Sequence, residues 1–149
     1  MPLWLVFHPP NTFDTQDAKQ ALANDITKIY TSAGLPAFYV TVQFILSPTS
    51  SCFVGGKPET ERPFIRISVD HIAVHSNNDT GMHARITARV DAALKPHLAD
   101  KGYDWEYHID ETARGLWKIN GLVPPPYKSE AEQLWASANK ASVWEKGRL

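Results

Sequence analysis

Two stretches of this chain carry the same order of signals: an apolar extended run, a stretch with helical periodicity, then a second extended run. In the first stretch, residues 1–46, the opening Met1-Pro2-Leu3-Trp4-Leu5-Val6-Phe7 is continuously apolar and is closed by His8-Pro9-Pro10. That pattern reads as a buried β-strand. Ala18, Leu22, Ile26, Ile29 and Ala33 then recur at helical spacing, with Asp14 as the expected N-cap and Gly34-Leu35-Pro36 as the stop. Residues 38–46 are rich in β-branched and aromatic side chains and read as the second strand.

The second stretch, residues 64–109, repeats the plan. Ile65, Ile67 and Val69 alternate as in a strand, and Met82, Ile86, Val90, Ala93 and Leu94 give a helical stripe capped by Thr80. Pro96 limits that helix, and a strand follows around residues 104–109. A strand–helix–strand unit needs a crossover, so each unit predicts a parallel pair. Two units side by side give an α+β protomer, a four-stranded sheet with both helices on one face. The other face then needs cover, and self-association supplies it most simply. Between the units, residues 47–63 are mostly turn chemistry, with 52–54 as a short edge strand. Residues 110–149 form an arm holding Trp117, Trp135 and Trp144, which predicts docking on its own core or on a neighbouring subunit.

At 149 residues the chain is long enough for one domain with a real core. Its net charge of −1, without a Lys/Arg-rich run, gives no footprint for nucleic acid or an anionic membrane. Cys52 is the only cysteine, which excludes an intrachain disulfide and a cysteine-based zinc site. No apolar stretch approaches the ~18 residues of a membrane span, and no basic segment precedes Leu3, so a cytoplasmic location is expected. Asn78-Asp79-Thr80 matches a glycosylation acceptor, which without a secretion signal is read as chance.

Proline is a small second residue, so removal of Met1 is expected, leaving Pro2 as a free secondary amine. An α-amine titrates near ~7.7 to 8, and partial burial lowers that value. A neutral amine near pH 7 is a competent base or nucleophile. On its own terms Pro2 can equally just open a strand, where its missing N–H does no harm. His71 and His75 have i, i+4 spacing beside Asp70, but no third metal ligand is evident. No metal or other cofactor is expected.

Met1-Pro2 opening a strand, the two β-α-β units and the aromatic arm together resemble the tautomerase superfamily. Within it the chain is most similar to the cis-3-chloroacrylic acid dehalogenase-like group, especially fungal members. The likeness rests on Pro2, Ala18-Lys19 and Ile26-Thr27, Val42-Gln43-Phe44, Phe53-Val54-Gly55-Gly56, and Trp105-Glu106-Tyr107. It implies a β-α-β-β-α-β protomer with a mixed sheet, assembled as a homotrimer, with Pro2 at the floor of a pocket. Across that family a neutral proline moves protons in enol–keto tautomerisation; in the dehalogenases it is a cationic acid while other residues activate water.

Residue by residue, the resemblance carries a catalytic tyrosine onto Tyr107, an oxyanion donor. The dehalogenase helix histidine falls on Tyr30, and the two carboxylate-binding arginines fall on His71 and Val74. The water-activating acid falls on Lys118, a charge reversal that makes Lys118 a candidate carboxylate anchor, with Arg114 one turn earlier to help. Hydrolytic dehalogenation needs activated water and a firm arginine clamp. Tautomerisation needs a base, an oxyanion donor and some anion binding. The expected activity is therefore proton transfer on a small enol or α-keto acid, by Pro2 and Tyr107, with Tyr30, His71, Arg114 and Lys118 binding substrate. The alternatives are a hydrolytic dehalogenase or hydratase of 3-haloacrylate-like acids, and a binding or structural trimer without chemistry.

Overall fold

The computed structural model describes residues 2–58, 61–76 and 78–145. The expected removal of Met1 concerns a residue outside that set. The chain runs β1 (Leu3–His8), α1 (Gln16–Thr31), β2 (Thr41–Leu46), β3 (Phe53–Val54), β4 (Lys57–Pro58), β5 (Phe64–His71), α2 (Thr80–Leu94), β6 (Asp104–Glu111) and α3 (Glu130–Ala138). Four strands form one mixed sheet in the order β2-β1-β5-β6. β1 pairs in parallel with β2, β5 in parallel with β6, and β1 antiparallel with β5. Each strand–helix–strand unit thus makes a parallel pair, and the two units join through β1 and β5.

Strict alternation along β1 and β5 sends Trp4, Val6, Ile65, Ile67 and Val69 into the core. There they meet Leu22, Ile26 and Tyr30 of α1, and Val90 and Leu94 of α2. Both helices therefore cover the same face. The other face presents Leu3, Leu5 and Phe7 beside a polar network on β5 and β6. In it Arg66 pairs with Glu106 at 2.8 Å and meets His108 Nδ1 at 2.6 Å, and His108 lies 3.1 Å from Asp110.

Several local expectations shift. Thr15, not Asp14, caps α1, accepting from the Ala18 N–H at 3.1 Å. Asp79, not Thr80, caps α2, accepting from Gly81 and Met82 at 2.8 and 3.1 Å. β2 begins at Thr41 because residues 37–39 form a 3₁₀ turn. That turn places Tyr39 at zero exposure against Trp117 (ring centroids 4.8 Å apart) and Trp135 (6.3 Å), so burial overrides its strand propensity. The 52–54 segment is not an edge of the main sheet. Phe53–Val54 pairs with Lys57–Pro58 across Gly55-Gly56, whose φ values of 59° and 79° suit a primed hairpin turn. β5 runs on to His71, two residues beyond the expected end, which puts His71 on the core face.

The arm packs on its own core. Trp117 and Trp135 are buried beside Phe38 and Tyr39. Trp135 donates to the Ser142 carbonyl at 2.9 Å and Trp144 to the Val123 carbonyl at 2.8 Å.

Candidate active site

Pro2 is buried at the end of β1, its carbonyl accepting from the Thr41 N–H at 3.0 Å. The pairing of Leu3 with Asp70 brings Pro2 to the level of His71 on the adjacent strand. Strand alternation puts Pro2 on the same face as Trp4, which donates its indole N–H to the Tyr30 hydroxyl at 3.0 Å. The Tyr30 and His71 rings lie 5.8 Å apart. So β1, α1 and β5 bring Pro2, Tyr30 and His71 to one corner of the core. Among the described residues nothing accepts the hydroxyl proton of Tyr30, which leaves it free to donate.

Both aromatic groups are held uncharged. Burial pushes Tyr30 up to about 12, against the opposing donation from Trp4. Burial also depresses His71, although the charge of Glu111 and a backbone hydrogen bond at Val74 work the other way. Glu111 stands beside His71 in the ladder. Burial raises its carboxyl, but hydrogen bonds from Ser76, 2.7 Å at the N–H, and the nearby His75 outweigh that and hold it below the usual range.

The sign of the His71 effect gives a prediction. Its folded value lies below the unfolded one, so the unfolded chain binds more protons in that window. The stability due to neutral His71 is complete above ~6.5 and is lost as pH falls below it. The urea midpoint should drop between pH 7.5 and 5.5, and His71→Asn should flatten that slope. An unchanged slope in the variant would show that other groups govern it.

A cavity of about 130 Å³ opens beside Tyr30 and His71. Its walls are largely aliphatic, from Ile29, Leu35, Val74 and Ile109 among others, with Arg89 of α2 as the charged residue and Tyr127 of the arm closing one side. The Tyr127 hydroxyl donates to the Ala33 carbonyl at 3.2 Å.

The other sequence candidates sit elsewhere. Tyr107 donates to Asp91 at 2.9 Å on α2, and burial with Asp91 pushes it up to about 12. The ladder puts Tyr107 at the level of Val6, two strands from β1 and four residues along from Pro2. At ~4.8 Å per strand and ~3.3 Å per residue that is roughly 16 Å, so one protomer does not join them. Lys118 lies on the helix-free face, lining a cavity of about 590 Å³ with Leu3, Gln43 and Asp70. Arg114 is enclosed by the arm. It donates to the Ala73 carbonyl at 2.6 Å and to that of Pro125, stacks 5.3 Å from the Trp117 ring, and lies 3.5 Å from Glu132. His75 is engaged with Glu111 at 3.7 Å, and no group of three or more candidate metal ligands occurs among the described residues.

Residues 1–140 match the family model described as "Putative oxalocrotonate tautomerase enzyme". The chain belongs to this tautomerase family. Native RhCC from Rhodococcus jostii RHA1 is 41% identical over 95% of this chain and 99% of its own, with a TM-score of 0.89. A probable enzyme from the thermophilic fungus Aspergillus fumigatus is 41% identical over 97% and 98%, with a TM-score of 0.85. N1, a member of the cis-3-chloroacrylic acid dehalogenase family, shares the fold at 18% identity, a TM-score of 0.60, and coverage of 91% and 99%. Among curated proteins none matches.

Sequence reading passed over three residues that the fold brings near Tyr30 and His71: Arg89 and Tyr127 at the cavity wall, and Glu111 beside His71 in the ladder. Arg89 adjoins Val90 on α2 and reads as part of a solvated face. Tyr127 follows Pro124-Pro125-Pro126, a spacer whose end point local pattern does not set. The strand-end position of Glu111 carried the one usable signal, because parallel pairing of β5 with β6 sets it beside His71.

Proposed function

We propose that this tautomerase moves a proton between oxygen and carbon of a small enol or 2-oxo acid, with the Pro2 nitrogen as the base once Met1 is gone. The observation that carries this reading is the company Pro2 keeps: a buried tyrosine with an unclaimed hydroxyl proton and a histidine held neutral. In ketonisation the amine accepts the enol O–H proton, and the freed electron pair closes the C=O bond. The C=C pair then takes the proton back from the amine at carbon. Tyr30 donates to the oxygen as it gains charge. The reaction needs no cofactor and consumes no water.

In this reading Tyr107 serves the pocket of a neighbouring protomer, which the separation of Tyr107 from Pro2 within one chain requires. A homotrimer also covers the sheet face that carries Leu3, Leu5 and Phe7. Sedimentation should show a species of three chains, and a monomer at assay concentration would remove Tyr107 from the mechanism. The Lys118 ammonium, across the sheet, adds a positive field at the helix-free face. Arg114 has no part, because its guanidinium already serves two carbonyls and Glu132.

Ketonisation of an enolpyruvate, followed by loss of enol absorbance on protein whose intact mass lacks Met1, tests the proposal. Turnover that Pro2→Ala leaves unchanged would falsify it in favour of a binding or structural protein. The hydrolytic alternative is read separately, as halide release from cis-3-chloroacrylate, and none above background is expected. The resemblance puts Lys118, a cation, where that reaction needs its water-activating acid.

A further inference from the structure

We infer that Arg89 is the carboxylate anchor of the cavity, and that the site selects monocarboxylates with a short apolar side chain over dicarboxylates. This rests on the reading that the cavity beside Tyr30 and His71 is the substrate site. α2 carries Arg89 to the mouth of the cavity; the residue is itself exposed, and the next one, Val90, is buried in the core. The remaining polar side chains at its wall, Tyr30, His71 and Tyr127, are two phenols and an imidazole depressed by burial. The rest of the wall is chiefly aliphatic.

Arg89 also borders a second groove between the helices, shared with Asp25 and Lys28. Asp25 is the natural partner for it there, but both Asp25 oxygens are engaged. Oδ1 holds Lys28 at 2.8 Å and Oδ2 holds His97 at 2.9 Å. Among the described residues no hydrogen bond or ion pair takes up the Arg89 guanidinium. The fork of N–H donors is thus unpaired at the rim of a largely apolar cavity, where a carboxylate can meet it in bidentate fashion.

The wall decides the rest of the ligand. Hydrocarbon buried against Ile29, Val74 and Ile109 is favourable. A second carboxylate directed inward would lose its water with no cation to meet it. Unsaturated dicarboxylic acids, the class the family description names, are therefore poor ligands for this member.

Binding can be read without turnover, by NMR titration of ¹⁵N-labelled protein with 4-methylpentanoate, 4-methylpentanamide and adipate. Wild type should prefer the monocarboxylate to its amide, and to adipate, by about tenfold or more. Arg89→Met should bring acid and amide to the same affinity, and Arg89→Lys should restore part of the difference. A preference that survives Arg89→Met, disappears instead in Lys118→Met, or runs toward adipate overturns the assignment. Enol turnover that is independent of Pro2, combined with an Arg89-dependent preference, would sink the catalytic proposal and leave the anchor standing. The reverse pattern would do the opposite.

Discussion

Pro2→Ala should lower kcat/KM for enol ketonisation by roughly 10² to 10⁴-fold, the range a positioned general base contributes. Alanine keeps an amine at the chain end, so the loss measures placement and basicity together. A proline nitrogen is held within its ring, so its direction is set once β1 is paired. The primary amine of alanine turns about its own bond. Pairing of Pro2 through its carbonyl to Thr41 holds the rest of the residue in either variant, so folding should be little changed. A preparation that retains Met1 gives the sharper result. Its Pro2 nitrogen is an amide without useful basicity, and ketonisation should fall to background while binding of a carboxylate probe persists. Intact mass and initial rate, measured on the same sample, decide the matter. Equal rates with and without Met1 would rule out the proline as base.

The β-α-β repeat was legible because alternation and helical periodicity are one-dimensional signals of which side is buried. Trp4 and Val6 on β1, and Ile65, Ile67 and Val69 on β5, all fell where the pattern put them. Ends of elements were less legible, since Asp14 and Thr15, or Asp79 and Thr80, are nearly equivalent caps, and tertiary fit chooses between them. Tyr39 went astray for a different reason. Its destination is a cluster with Trp117 and Trp135, about 80 and 100 residues away, and no local window contains that information. The site divides along the same line. Tyr30 and His71 were named beside Pro2 by the family resemblance alone, and the structure sets the three on adjoining core elements, β1, α1 and β5. Arg89 was missed because an arginine on a helix looks the same in sequence whether it meets water or a cavity. Lys118 and Arg114 were paired by their spacing as neighbours on one helical turn. The chain is a 3₁₀ turn and then extended there, and the two cations part to different faces.

Arg114→Met should destabilise the protein by about 3–5 kcal/mol, the typical cost of removing one partner of a buried ion pair. Glu132 is 1% exposed, and its Oε2 accepts the Lys128 N–H at 2.8 Å. Burial raises its carboxyl above the ordinary range even with Arg114 3.5 Å away. Without the guanidinium that carboxylate has no countercharge, and the carbonyls of Ala73 and Pro125 lose their donor. Methionine retains most of the stem over the Trp117 ring, so the loss reports charge and hydrogen bonds more than packing. The pH dependence follows from the sign. A carboxyl whose folded pKa lies above its unfolded value binds more protons in the native state, so its contribution to stability declines as pH rises through that interval. Removing Arg114 widens the interval upward. The gap between wild type and Arg114→Met, measured by urea unfolding, should therefore be larger at pH 8 than at pH 5. Adding Glu132→Gln should recover much of the loss and remove the pH dependence of the gap. A gap below about 1 kcal/mol, in the range of exposed pairs, would mean that the arm is held by its aromatic cluster alone.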